Sequence, residues 1–382
     1  MLLNRFGKGV WVNLCIILGL ILFGVITHLI TRTLPDPNLA QYQRDTIERA
    51  KVLEVLSQEE AIYGENPSIN QTLKIEFTTG AEKGKILDSI VNQTNAYSSV
   101  IAEPGDVVVV GTLTDESGSY YYIIDHFRLQ PVFWLLALLL LLIILVLKKH
   151  TLPVVVAMAI SFYVVLQFIV PFISRGYDPV VISFIGLGII IPSSFYMVHG
   201  FQRKTTMAIL GTILTLGCTS ILAWITIHAA KLTGIMRDDV FTLFANQANT
   251  FSLQGLLMAG ILLSILGILD DVTITQASIV TELSKQPKRS KPQLFSQAMN
   301  VGRDHIASAV NTLILVYAGA ALPTLILLNK FPRPFLITIN DEAIILEVVL
   351  ALLGTIALVI AIPITTALCV YADTIHGLKK HR

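Results

Sequence analysis

Charge is scarce in this sequence. Only 14% of its 382 residues are Asp, Glu, Lys or Arg, against about 25% in an ordinary soluble domain. The net charge is +1, and no basic domain offers a landing surface for phosphates, so nucleic acid is not among the expected partners. Cysteine is scarce too. Cys15, Cys218 and Cys369 all lie in apolar runs, where a thiol packs as a small hydrophobe. The polar segment after the first apolar run has no cysteine for a disulfide framework, and no CxxC or Cys/His cluster marks a metal. The pairs that intramembrane enzymes use, Ser/Lys, HExxH or a GxGD-like motif, are missing at usable depth. The chain therefore reads as a non-enzyme with no cofactor.

Apolar length is abundant. Hydrophobic residues make up 54% of the chain, and they gather in runs near the ~20 residues that cross a ~30 Å hydrocarbon core. Such runs occupy about 10–30, 131–147, 152–172, 179–198, 206–229, 254–276, 306–328 and 343–371. The fold class is thus an α-helical polytopic membrane protein with about eight transmembrane helices. The run Val10–Ile30 follows Arg5 and Lys8 but is longer than a signal-peptide core and lacks a small-residue cleavage site, so it reads as a retained helix. Lys and Arg in short loops set the orientation. With the N-terminus inside, cytoplasmic segments carry fourteen and short outer loops five. An even helix count keeps the basic tail Lys379, Lys380 and Arg382 inside with the N-terminus.

Residues 31–130 separate the first helix from the rest and fall outside the membrane on the extracytoplasmic side. Five segments there, Lys51–Ser57, Gln71–Thr78, Lys85–Val91, Asp106–Thr114 and Tyr120–His126, are rich in Val, Ile, Thr and Tyr. Turn residues such as Pro104-Gly105 bound them. That pattern predicts a small β-barrel-like domain of OB or SH3 type, with 36–50 helical or irregular. Three domains follow: 1–30, 31–130, and a seven-helix bundle over 131–382 with a basic cytoplasmic loop at 283–305. The Asn-x-Thr sequons at Asn70 and Asn92 read as chance matches. The outer segment 231–253 has apolar residues at partly helical spacing and is suited to lie on the membrane.

The sixth run carries the chemistry. It contains Gly-Ile-Leu-Asp-Asp-Val-Thr-Ile-Thr-Gln-Ala-Ser-Ile-Val-Thr-Glu over 267–282. Asp271, Thr275, Ser278 and Glu282 share one helical face, with Asp270 about 100° away. A carboxylate at the centre of a membrane helix costs about 2.5–3.5 kcal/mol on insertion scales, so two adjacent ones call for a use. Carboxylates to bind a proton or cation and hydroxyls to relay it would supply one. The bland alternative places the pair in the inner headgroup region, since Asp271 lies about 25 Å along from Gln254 at 1.5 Å per residue.

The basic stretch Lys285-Gln-Pro-Lys-Arg-Ser-Lys-Pro292 follows, suited to anionic membrane lipid. Pro292 opens a short amphipathic helix with Leu294, Phe295, Ala298 and Met299 on one side. The seventh helix begins with Asp304, Ser308, Asn311 and Thr312 at +4 and +3/+4 spacing. If the two stripes face each other they satisfy each other, either as an ion path or as a static hydrogen-bonded seam. Arg303 is a candidate counter-ion for Asp270, Asp271 or Asp304, and Ala318-Gly319-Ala320-Ala321 suits close packing. Pro192, Pro323 and Pro363 are candidate kinks or breaks in their helices. His199 and His228 read as interfacial, and Glu347 as a first-turn residue of the last helix.

These residues carry a resemblance. Leu269-Asp-Asp-Val-Thr-Ile, the downstream Glu282, Asn300-Val-Gly-Arg-Asp-His and the run from Asn311-Thr to Leu-Pro323 resemble the YibE/F family of bacterial membrane proteins. Asp271, Asn311, Thr312, Gly319 and Pro323 match its pattern best, while Ser308-Ala309-Val310 stands where a glycine-threonine pair is usual. The resemblance spans most of the chain and implies the bacterial plasma membrane. It also implies, as a partner, a shorter family member without the β domain, or a second copy of the chain in a homo-oligomer. Gly267–Ile274 is more faintly similar to the aspartate helix of proton-driven RND and SecDF-type exporters. The β domain stands at a different distance from that helix, however, and no second repeat is visible. Two functions follow as expectations. One is a secondary transporter or ion-coupled permease using Asp271 with Asn311 and Thr312. The other is a non-catalytic scaffold or sensor whose β domain binds a partner protein or an envelope polymer.

Overall fold

A computed structural model describes residues 46–63, 66–93, 100–115, 118–234, 252–286, 289–330 and 334–375. The chain divides into two compact units, Pro35–Lys148 and the remainder.

In the first unit, five strands form one antiparallel sheet: β1 (Thr46–Tyr63), β2 (Asn66–Phe77), β3 (Ile86–Gln93), β4 (Val107–Asp115) and β5 (Gly118–His126). Their order is β3-β2-β1-β4-β5, with β1 central. The period-2 alternation is plain in β2, where Gln71, Leu73, Ile75 and Phe77 are buried and the residues between them are not. They pack with Ala50, Val52, Ile90, Val108, Val110 and Ile123. Two buried amides tie the 100–102 segment to the sheet. Gln71 donates to the carbonyl of Ala102 at 3.1 Å and accepts from its N–H at 2.9 Å, and Asn92 donates to Val100 O at 2.7 Å. Gly80 turns the chain at φ 82°, and a Cβ there would overlap the Glu48 carboxylate that accepts from Ala81 N. Residues 46–50, expected to be helical or irregular, belong to β1 and pair with β4. Their alternating exposure, with Glu48 and Ala50 buried, is strand-like once a partner strand is present. Helix α1 (Leu129–Leu147) belongs to this unit.

The described residues of the second unit are helical. The unit contains α2 (Thr151–Ser174), α3 (Pro179–His199), α4 (Arg203–Ala229), α5 (Leu253–Ser284), α6 (Lys291–Ala320), α7 (Leu322–Lys330), α8 (Phe335–Ile339) and α9 (Glu342–Ile375). Local chemistry sets the ends. Asp178 caps α3 by accepting from Val180 N and Val181 N, both at 2.9 Å, with Pro179 at the first position. Ser252 caps α5 through Gly255 N. Ser290 and Gln293 form a capping box at α6. Pro171 has no N–H for the carbonyl of residue 167, and α2 is π-helical over Val165–Ile169 just before it. Pro192 and Pro363 lie within continuous helices.

Six helices among the described residues are long and apolar enough to cross a membrane: α1, α2, α3, α4, α5 and α9. The chain is therefore a multi-pass membrane protein. The expected helix at 10–30 lies outside the described residues, as does most of the 231–253 segment. The expected span 306–328 is interrupted. The helix breaks between Ala320 and Leu322 because Pro323 cannot bond the carbonyl of Gly319. Nor is there a separate short helix after Pro292. Leu294, Phe295, Ala298 and Met299 do pack inward, but α6 runs unbroken from Lys291 to Ala320.

Polar side chains hold α4, α5, α6 and α9 together. Thr212 and Thr273 share a hydrogen bond of 2.8 Å, and Gln276 donates to Thr366 Oγ1 at 2.7 Å and to Ala298 O at 3.1 Å. Gly302 permits this approach, since a Cβ there would lie 2.6 Å from Ile362 Cγ2. At the opposite end, the Glu342 carboxylate accepts from the N–H groups of Thr233 and Gly234 at 2.6 and 3.0 Å. Cys369 packs in the core, whereas Cys218 is exposed on α4. The latter departs from the packing expected of it, because its helix turns that face outward.

Candidate functional site

The polar stripe of α5 opens onto a cavity of about 900 Å³. Asp270, Asp271, Thr275, Ser278 and Glu282 all line it, so the four residues that helical spacing grouped are together in space, and Asp270, expected about 100° away, joins them. Asp270 is the more enclosed carboxylate and accepts a long hydrogen bond, 3.5 Å, from Ser194 of α3. Asp271 is exposed to the cavity and accepts from Thr275 at 3.4 Å. Glu282 sits at the mouth, where Lys285 pairs with it at 2.7 Å.

The other walls are α2 and α3, not the helix that follows α5. Val154, Ala157, Met158, Ser161 and Phe162 come from α2, and Ser194, Val198 and His199 from α3. His199, expected to be merely interfacial, is a lining residue. Ser161 and Ser194 were missed by the sequence reading, and His199 was singled out without a role in the site. The signal was present, since each is a polar side chain in an otherwise apolar span, but nothing in one sequence says that these spans neighbour the sixth.

The second stripe is elsewhere. On α6 the inward face is Ala298, Gly302, Ile306, Ala309 and Leu313. Arg303, Asp304, Ser308, Asn311 and Thr312 are on the opposite, exposed face. Arg303 donates to Asn300 of its own helix at 2.9 Å, and Thr312 to Ser308 O. The two stripes therefore do not face each other, and Arg303 bonds within its own helix rather than with Asp270 or Asp271. The face of α6 that touches α5 and α9 is set by its small and apolar residues, which bury more favourably. The Ala318–Ala320 segment, expected to pack closely, is exposed as well. Glu347 lies beyond the first turn of α9, which begins at Glu342, and lines a smaller cavity of about 230 Å³ with Tyr317.

The two stripes nevertheless share a depth. Gln276 of α5 lies beside Gly302 of α6. Counting six residues from each in opposite chain directions, about 9 Å, brings Asp270 level with Ser308.

A profile describing YibE/F-like protein matches residues 135–373. The chain belongs to the YibE/F family. The match begins within α1, spans the whole cavity-bearing bundle and excludes the β-sheet. No curated protein and no solved structure is significantly similar to the chain. Within the YibE/F region, the carboxylates, hydroxyls and imidazole around the cavity can bind and exchange protons or cations. Among the described residues, no group of three or more His, Cys, Asp or Glu side chains is placed to hold a metal.

Proposed function

We propose that this YibE/F protein is an ion-coupled permease in which Asp270 and Asp271 bind the coupling ion. The observation that carries this reading is the cavity. Both carboxylates border open volume rather than a packed helix interface, and in a membrane interior such groups are found where they serve an ion or proton path. Ser194 and Thr275 hold the two carboxylates in place, and Ser278 and His199 offer relay positions toward the mouth at Glu282. Asn311 and Thr312 are not part of this site. The protein resides in the bacterial plasma membrane with both termini cytoplasmic, and the broken α6–α7 helix and the run at 10–30 bring the crossings to eight. The charge asymmetry of the loops supports that orientation, with the β-sheet extracytoplasmic. Flux of protons or monovalent cations in proteoliposomes tests the reading. Asp271→Asn is expected to suppress it strongly, and unchanged flux would end the proposal.

A second reading, a scaffold or sensor, is favoured by the sheet itself. The strand order, with β1 pairing both β2 and β4, supports an OB-like domain. Ile47, Leu113, Tyr120 and Ile124 are exposed on adjacent strands, an apolar surface suited to a partner protein. Deleting residues 46–126 would then abolish function while Asp271→Asn only lowered stability.

A further inference from the structure

The walls of the large cavity differ in kind, and the difference bears on what it holds. We propose that the cavity takes an amphipathic organic cation, with its ammonium, guanidinium or quaternary onium group against Asp270 and Asp271 and its apolar body against Met158, Phe162 and Ile274. The inference rests on the permease reading and adds the substrate class.

Among the described residues, the lining contains no Lys or Arg. Its ionisable groups are Asp270, Asp271 and Glu282 from α5 and His199 from α3, while α2 contributes none. Glu282 is already paired with Lys285, and Lys204 lies within electrostatic reach of His199. The two aspartates are thus the anionic groups of the cavity that no Lys or Arg engages among the described contacts. An anionic ligand would meet them at close range, where like charges repel strongly at low effective dielectric. A small hydrated metal ion would satisfy the carboxylates but leave an apolar wall and most of about 900 Å³ unused. That volume is near the upper end of the roughly 300–1,000 Å³ of small-molecule sites. An apolar body displaces water from Met158, Phe162 and Ile274, and the cationic head takes the carboxylate oxygens to which a proton would otherwise add. Binding and protonation then compete at the same oxygens, which couples ligand movement to proton movement in the opposite direction.

Tetraphenylphosphonium and tetraphenylborate, near-identical in shape and opposite in charge, make the test. Binding of each is measured on the full chain in detergent micelles, with proton release followed in weakly buffered solution. Tetraphenylphosphonium is expected to bind more tightly as pH rises and to release protons, and tetraphenylborate not to compete with it. Asp270→Asn combined with Asp271→Asn is expected to weaken binding about tenfold or more. Ser278→Lys, which places a fixed ammonium in the cavity and leaves both aspartates intact, is expected to abolish it. Equal binding of the two probes, or binding indifferent to both variants, overturns the proposal. If tetraphenylphosphonium fails to bind while Asp271→Asn still suppresses cation flux in proteoliposomes, the substrate class is wrong and the permease reading stands. If flux is also indifferent, both are wrong.

Discussion

Helices α5 and α6 each carry a stripe of polar residues at helical spacing, and the stripes lie at the same depth. One lines a cavity with Asp270 and Asp271. The other, from Asp304 to Thr312, is on the outer surface of its helix. Spacing told which residues share a face, and it did so correctly for both helices. It did not tell what each face meets. That depends on which side of a helix buries the most apolar area and tolerates the closest approach. On α6 that side belongs to Ala298, Gly302 and Ile306.

This contrast is open to experiment. The largest effect is expected on transport. Asp270→Asn or Asp271→Asn should reduce flux in proteoliposomes about tenfold or more, whereas Asn311→Leu and Thr312→Val should leave it within about twofold, given how little exposed positions usually contribute. Equal losses from both helices would erase the distinction drawn between them.

Labelling sharpens it next. In a background without Cys15, Cys218 and Cys369, a membrane-impermeant maleimide should modify Asp271→Cys much faster than Asn311→Cys. The first site borders a cavity that Ser194, Asp270 and Ser278 also line, and the second faces outward at mid-helix. Comparable rates would place water on both.

Packing comes third. Gly302→Leu would push atoms into Ile362 and the Gln276 amide, and overpacking of this kind costs about 1–3 kcal/mol. Thermal unfolding in detergent should show the loss, while Gly319→Leu, where an added Cβ meets nothing within 4 Å, should cost far less.

The smallest effect is expected in the β-sheet unit. Lys85 bonds Glu82 and Tyr121, and these contacts push its ammonium up to about 12 from an ordinary 10.5. The contribution is fully present below pH 10.5 and is lost as pH rises through about 12. Lys85→Met should shift the unfolding midpoint only slightly at neutral pH, and the difference from the natural chain should vanish at strongly alkaline pH.

Much of the architecture was legible in the residues alone. Apolar runs gave the spans 131–147, 152–172, 179–198, 206–229, 254–276 and 343–371 to within a few residues of α1–α5 and α9, apart from α5, which continues for two further turns to Ser284. A helix crossing a membrane must satisfy its backbone within its own segment, so length and apolarity suffice to identify it. The five strands were legible for the same local reason, with β1 and β2 extending further than the segments Lys51–Ser57 and Gln71–Thr78 read for them. The break before Pro323 follows from proline's missing N–H, and Pro323 was among the prolines expected to kink or break a helix, although the span itself was drawn as one run over 306–328.

Long-range neighbours were not legible. Ser194 meets Asp270 across 76 positions, and Gln276 meets Thr366 across 90. Periodicity is silent on contacts at that range. The sequence by itself determined that the chain is a multi-pass membrane protein with a polar investment on two consecutive helices, because hydropathy and helical spacing are local properties. Only the tertiary structure decided that the α5 investment opens onto α2 and α3 while that of α6 faces outward, because helix packing is settled by the shapes and apolar areas of several distant segments at once.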